Sequence, residues 1–242
     1  MTKSKKPKYK ITFRERKFFV SLDKVLFFKT LQKLHGRFWG IAAINGMVLG
    51  LSVCFLIRPE MLHISTAFSD FGRDVRTAPF FAGSMFFAAY GLWRWRNYLS
   101  RTVKRPGPVL ALLSLTILGL YIVALMPISW KPWPYRIHLF GFALAGISVV
   151  LTVVVDGLLT KTKKSKRTYM SRVLRALSVL LIIIGGYITF GSAEAIGWYR
   201  LALLGECLVL FGYIIWVYMK TIQGEGPRSK LSVLLSRIVE IK

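Results

Sequence analysis

The segment RPEMLHISTAFSDFGRDVRTAP, residues 58–79, carries His63, Ser69, Asp70, Arg73, Asp74 and Arg76 at nearly balanced charge. Arginines in such a strip can grip a phosphate through two parallel N–H donors, and a neighbouring carboxylate suits an amine. Far along the chain a carboxylate, Glu206, interrupts the apolar run LALLGECLVLFGYIIWVYMKTI of residues 201–222, and His138 opens another such run. An ionised group inside hydrocarbon costs on the order of 2.5–3.5 kcal/mol on insertion scales, so it calls for a partner or a watered recess. The chemistry on offer is recognition of a lipid headgroup or small polar molecule, with Asp70, Arg73, Asp74, His138 and Glu206 as the candidate ligand-binding residues. A structural clasp competes with this reading: Glu206 pairs with Arg73, Arg76 or His138 and holds the charged strip over a bundle.

Other chemistries fit less well. A membrane-embedded, metal-dependent lipid hydrolase would draw His63, His138 and Asp70 or Asp74 around zinc, with Ser69 or Glu206 moving protons. A catalytic zinc typically takes three protein ligands and an open position, and only two histidines fall on the relevant side. A small proton-coupled transporter would use Glu206 as its titrating group, but no polar residues are read as continuing a path through the third and fifth apolar runs. No histidine sits deep enough in a run for haem, and no Gly-rich phosphate loop is present. Binding without catalysis is expected, with no cofactor and no metal.

These residues need a scaffold, and composition supplies it. The chain has 242 residues, 54% of them hydrophobic, yet a formal net charge of +25. The apolar residues gather into six runs with the basic residues between them, which predicts an all-α, polytopic six-transmembrane-helix bundle. The runs are 38–57, 80 to about 95, 109–128, 139–159, 176–193 and 201–222. Asn45, Gly46 and Gly50 mark a close helix contact, Pro79 suits a helix's first turn, and SWKPWPYRIH reads as an aromatic belt around a turn. Asp156, near the far end of the fourth run, is expected to pair with a lysine of the following loop. Cys54 and Cys207 read as packing residues.

Lys and Arg divide 29 to 6 between alternating sides of such a bundle. That asymmetry predicts a multi-pass cell-membrane protein with both termini cytoplasmic. Residues 58–79 then form the first outer loop, His138 stands at the outer mouth of the fourth span, and Glu206 lies in the outer third of the sixth. Residues 1–37 read as a basic cytoplasmic arm with an interfacial helix, 38–222 as the membrane domain and 223–242 as an amphipathic tail. Both termini suit the anionic inner leaflet, so membrane lipids are the expected partners and nucleic acid is not. No cleavable signal peptide is read in the arm.

The stretch ISTAFSDFGRDVRTAPFFAGSMFFAAYGLW, together with IHLFGFALAG and LLGECLVLFGY, resembles six-span prokaryotic membrane proteins of unknown function, distantly similar to the Frag/DRAM/Sfk group. The likeness rests on an I-S-D-x-G … P … F pattern over roughly residues 38–222, with Phe68 standing where isoleucine is usual. It implies a compact six-helix bundle and, for some eukaryotic members, lipid handling. It implies no reaction.

Overall fold

The computed structural model describes residues 36–63, 65–102, 107–126, 132–159, 169–191 and 201–223, without the side chains of 132, 158–159, 169–172 and 223. The chain divides into Met1–His35 and Gly36–Lys242. The interfacial helix and amphipathic tail expected from the sequence lie outside the described residues. Six long helices and no strand are found among those residues: α1 (Trp39–Ile57), α2 (Ala78–Thr102), α3 (Gly107–Leu125), α4 (Pro132–Leu159), α5 (Tyr169–Gly191) and α6 (Ala202–Gln223). Five helical stretches, those containing α1, α3, α4, α5 and α6, are long and apolar enough to cross a membrane. The bundle is therefore that of a multi-pass membrane protein.

α2 stands apart. It runs 25 residues to Thr102 instead of stopping near Trp95, and its second half holds Arg94, Arg96 and Arg101. The arginines do not end the helix because neighbouring helices engage two of them. Arg94 sits 5.5 Å from the Trp39 ring centroid, a cation–π contact, and Arg96 donates to Ser114 Oγ at 2.6 Å. α4 likewise begins at Pro132, well before Leu139. Proline is tolerated in a first turn, where the missing N–H has no helical acceptor, so most of the expected aromatic turn is helix. α5 also starts early, at Tyr169, inside the stretch read as a basic connector.

Successive helices pack side by side, and α6 returns to α1 to close a ring. α1 and α2 are antiparallel: a Cβ at Gly40 would meet the Trp95 ring and one at Gly50 would meet Ser84. Backbones touch at α5–α6, where a Cβ on Gly185 would fall 2.6 Å from the Gly205 carbonyl oxygen and 2.7 Å from Val209 N. Small residues at such crossings replace the hydrophobic drive that lipid removes. Packing is sparser along the α4–α5 and α1–α6 seams.

One end of the ring is held by buried charge. The Asp156 carboxylate accepts from Trp216 Nε1 at 3.0 Å, is ion-paired with Lys220, and lies 3.9 Å from Arg175. The lysines of the next loop, with which Asp156 was expected to pair, lie outside the described residues. Lys220 is one helical turn past Trp216, so both reach Asp156 from one face of α6. Arg37, counted above with the basic arm, is only 2% exposed and donates to the carbonyls of Thr221 and Ile222. A cation there satisfies carbonyls that the end of α6 leaves open.

Candidate functional site

At the other end, the α1–α2 loop is plugged into the bundle. Residues Phe68–Gly72 form a tight 3-10 turn, whose first N–H groups lack helical acceptors, and the Asp70 carboxylate accepts from Ala67 N–H at 2.9 Å. Phe71 is fully buried among Leu51, Cys54, Phe81, Met85 and Val123, and meets Phe55 edge-on at 4.7 Å. Thr77 locks the turn by donating to the Phe71 carbonyl at 2.7 Å.

The charged side chains of the loop pair among themselves. Arg58 is ion-paired with both Glu60 and Asp74, Asp70 lies 3.5 Å from Arg73 and Asp74 lies 3.5 Å from Arg76. Arg58 was absent from the expected set, yet it ties the loop's beginning to its end. The Glu60 carboxyl is held below its usual range by its own backbone N–H and the Arg58 guanidinium. Arg58, Met61, Thr66, Asp70, Arg73 and Asp74 surround a shallow polar recess.

Glu206 does reach this loop, but its partner differs from every one expected. Its Oε2 accepts the backbone N–H of Phe68 at 2.5 Å, and no ion pair with Arg73, Arg76 or His138 is found among the described residues. The acceptor lies at the start of the 3-10 turn, where an N–H is free to donate. The clasp is therefore a carboxyl-to-backbone bond, with the arginines committed elsewhere in the loop.

Beneath the clasp lies a cavity of about 150 Å³, walled by residues from all six long helices. Its wall is apolar except for a few groups. Ser69 and Glu206 stand at the loop end, and Thr116, Thr189 and Tyr213 line it without presenting their hydroxyls. Thr116 of α3 and Thr189 of α5 are thus among the lining residues, but neither opens a polar path into the cavity. Thr116 donates to the Leu112 carbonyl at 3.2 Å, whereas the buried hydroxyls of Thr189 and Tyr213 have no hydrogen-bond partner among the described residues. Sequence reasoning missed both. The signal for Tyr213 was its position seven residues after Glu206, which returns it to the same helix face.

His138 lies within α4 and is 1% exposed, not at an open mouth. Its Nδ1 is 2.5 Å from the Met126 carbonyl oxygen, so Nδ1 carries the proton and donates to the end of α3, while Nε2 is buried without a hydrogen-bond partner among the described residues. It lines neither the cavity nor the polar recess. His63 is exposed, and no three His, Cys, Asp or Glu side chains are grouped for a metal among the described residues. Arg200 lies outside the described residues. No protein-family model, curated protein or solved structure matches the chain.

Proposed function

We propose that the chain is a six-span cell-membrane protein that binds an amphiphile without catalysis, seating its polar head in the recess of Arg58, Asp70, Arg73 and Asp74 and its apolar part in the cavity. In this reading both termini are cytoplasmic, the α1–α2 loop faces outward and the basic termini rest on the anionic inner leaflet. α2 is the sixth span, its arginines carried at the inner end. The observation that carries the reading is the stacking of two unlike recesses on one turn. Thr66 and Asp70 border the ionic recess while Phe68 and Ser69 wall the apolar cavity. Apolar lining with a few placed polar groups is the general form of a small-molecule site.

The test is mild extraction followed by native mass spectrometry and lipid analysis. Wild-type protein is expected to retain an amphiphile. Gly146→Leu is expected to lose it while remaining folded, because Gly146 lines the cavity and a Cβ there meets nothing within 4 Å. Wild-type protein that carries none, or equal retention in the variant, counts against the proposal.

A further inference from the structure

We infer that the cavity is a slot for the bare hydrocarbon end of one chain, so that the protein selects single-chain amphiphiles and rejects those with two chains or with an oxygen at the chain end. The inference rests on the amphiphile reading above and names the class of ligand the cavity admits. Five lining residues carry side-chain oxygen, Ser69, Thr116, Thr189, Glu206 and Tyr213, yet the surface they help to form is apolar almost throughout. The Thr116 hydroxyl is turned back to the Leu112 carbonyl. That of Thr189 lies against Gly205, the Tyr213 hydroxyl is buried out of reach, and Glu206 accepts from Phe68.

Such a wall discriminates by what it withholds. A hydroxyl or carbonyl brought in by a ligand finds no partner on it, and a buried polar group left unpaired is costly. A charged group fares worse still. Water is a poor occupant for the same reason, since a buried water typically needs two to four polar partners. Hydrocarbon alone loses nothing on entry.

Shape narrows the class further. The cavity is lined from Glu206 to Tyr213 on α6 and from Ile44 to Leu51 on α1, and seven residues of helix span about 10 Å. A volume of about 150 Å³ over that length leaves a slot one chain wide. A void of this volume holds about one benzene-sized group, so one chain end enters and a pair of acyl chains does not. Two glycines keep the slot open. Gly146 and Gly186 line it from α4 and α5; among the described residues a Cβ at Gly146 would meet nothing within 4 Å, and one at Gly186 would meet the Val150 side chain at 3.7 Å. A side chain at either position takes up space in the slot without striking backbone.

The experiment titrates the full chain in a mild detergent by native mass spectrometry, with lauroyl lysophosphatidylcholine, its terminally hydroxylated form and dilauroyl phosphatidylcholine as probes. A zwitterionic head is used because the polar recess carries both signs of charge. Wild type is expected to bind the plain lysolipid about 5-fold to about 150-fold more tightly than the hydroxylated one, the range for one buried group left unpaired, and to prefer it to the two-chain lipid. Gly186→Ala is expected to lower the plain-to-hydroxylated ratio and Gly146→Val to bring it close to one, with helix content unchanged. Gly83→Val should leave the ratio at its wild-type value, because Gly83 is outside the cavity lining and a Cβ there meets nothing within 4 Å. Equal affinity for plain and hydroxylated lysolipid in wild type overturns the inference, as does tighter binding of the two-chain lipid or a ratio that survives in Gly146→Val. If wild type still retains an extracted amphiphile in that event, only this inference falls; if it retains none and binds neither lysolipid, the proposed function falls with it.

Discussion

Replacing Glu206 by leucine sets two energies of similar size against each other. The substitution removes the hydrogen bond from Phe68 N–H to Glu206 Oε2, measured at 2.5 Å, which is worth about 0.5–1.5 kcal/mol for a neutral acceptor and about 1.5–3 kcal/mol for an ionised one. It also removes a polar group that is only 7% exposed, where an ionised acid costs on the order of 2.5–3.5 kcal/mol at the centre of a span and less near its end. The terms nearly cancel globally, so thermal unfolding in detergent should move by only a few degrees in either direction. Locally there is no cancellation, because the loop loses its tie to α6. Hydrogen exchange at residues 66–72 should accelerate by between about 2-fold and about 150-fold, the range given by those hydrogen-bond values. Exchange at the Asp156 end should not change. Glu206→Gln keeps an acceptor oxygen and is expected to accelerate exchange less. Unaltered loop exchange in the leucine variant would refute the clasp, and a collapse of the whole bundle would show that Glu206 holds more than the loop.

Gly185→Leu drives a side chain into the Gly205 carbonyl and Val209 nitrogen; overpacking of this kind costs about 1–3 kcal/mol, read as a lower unfolding midpoint in detergent. Asp156→Ala leaves Lys220 without its carboxylate, and breaking a buried pair costs about 3–5 kcal/mol. Lys220 is 13% exposed near its helix end, so the lower part of that range is expected, and adding Lys220→Met should recover most of it in a double-mutant cycle. The Glu60 carboxyl titrates below its ordinary value of 4.5, so its contribution is present above its unfolded-state value and fades as pH falls through the folded one. Because that side chain is exposed, Glu60→Gln should leave the acid-unfolding midpoint nearly unmoved; a large shift would show that the Arg58 network holds the loop.

Apolar runs located the helices well, because a membrane span is specified by the mean character of about twenty residues. Their ends were harder to read. Arg94 and Arg96 fall where the second apolar run was expected to end, but their partners Trp39 and Ser114 come from other helices. Pro132 and Pro134 looked like a turn, although proline suits a helix's first turn as well. The site was legible where side-chain type carries the interaction. Glu206 does reach the α1–α2 loop, but at Phe68, ahead of the Asp70–Arg76 strip, and through a backbone N–H, which every residue but proline possesses and no residue type announces. His138 shows the converse: a histidine at the start of an apolar run read as a ligand, and the structure gives its Nδ1 to a helix-end carbonyl.

The two ends of α6 are secured to the remaining helices in unlike ways. At the Asp156 end, Lys220 and Trp216 engage the carboxylate, Trp216 meets Trp95 edge-on at 5.5 Å, and Arg37 grips the last carbonyls. Tyr218 adds a bond to Asn45 at 2.9 Å. Towards the loop, the bond from Phe68 to Glu206 is the one polar tie from α6 to the first four helices found among the described residues. α5 and α6 are joined backbone to backbone at Gly185 and Gly205, so they pack as a pair, and both seams that bound the pair are the sparsely packed ones. Regions with few buried contacts open at lower free energy than the rest of a fold. Among the described residues the α5–α6 pair is thus held by fewer polar ties at the end where Glu206, Thr189 and the polar recess stand than at the Asp156 end.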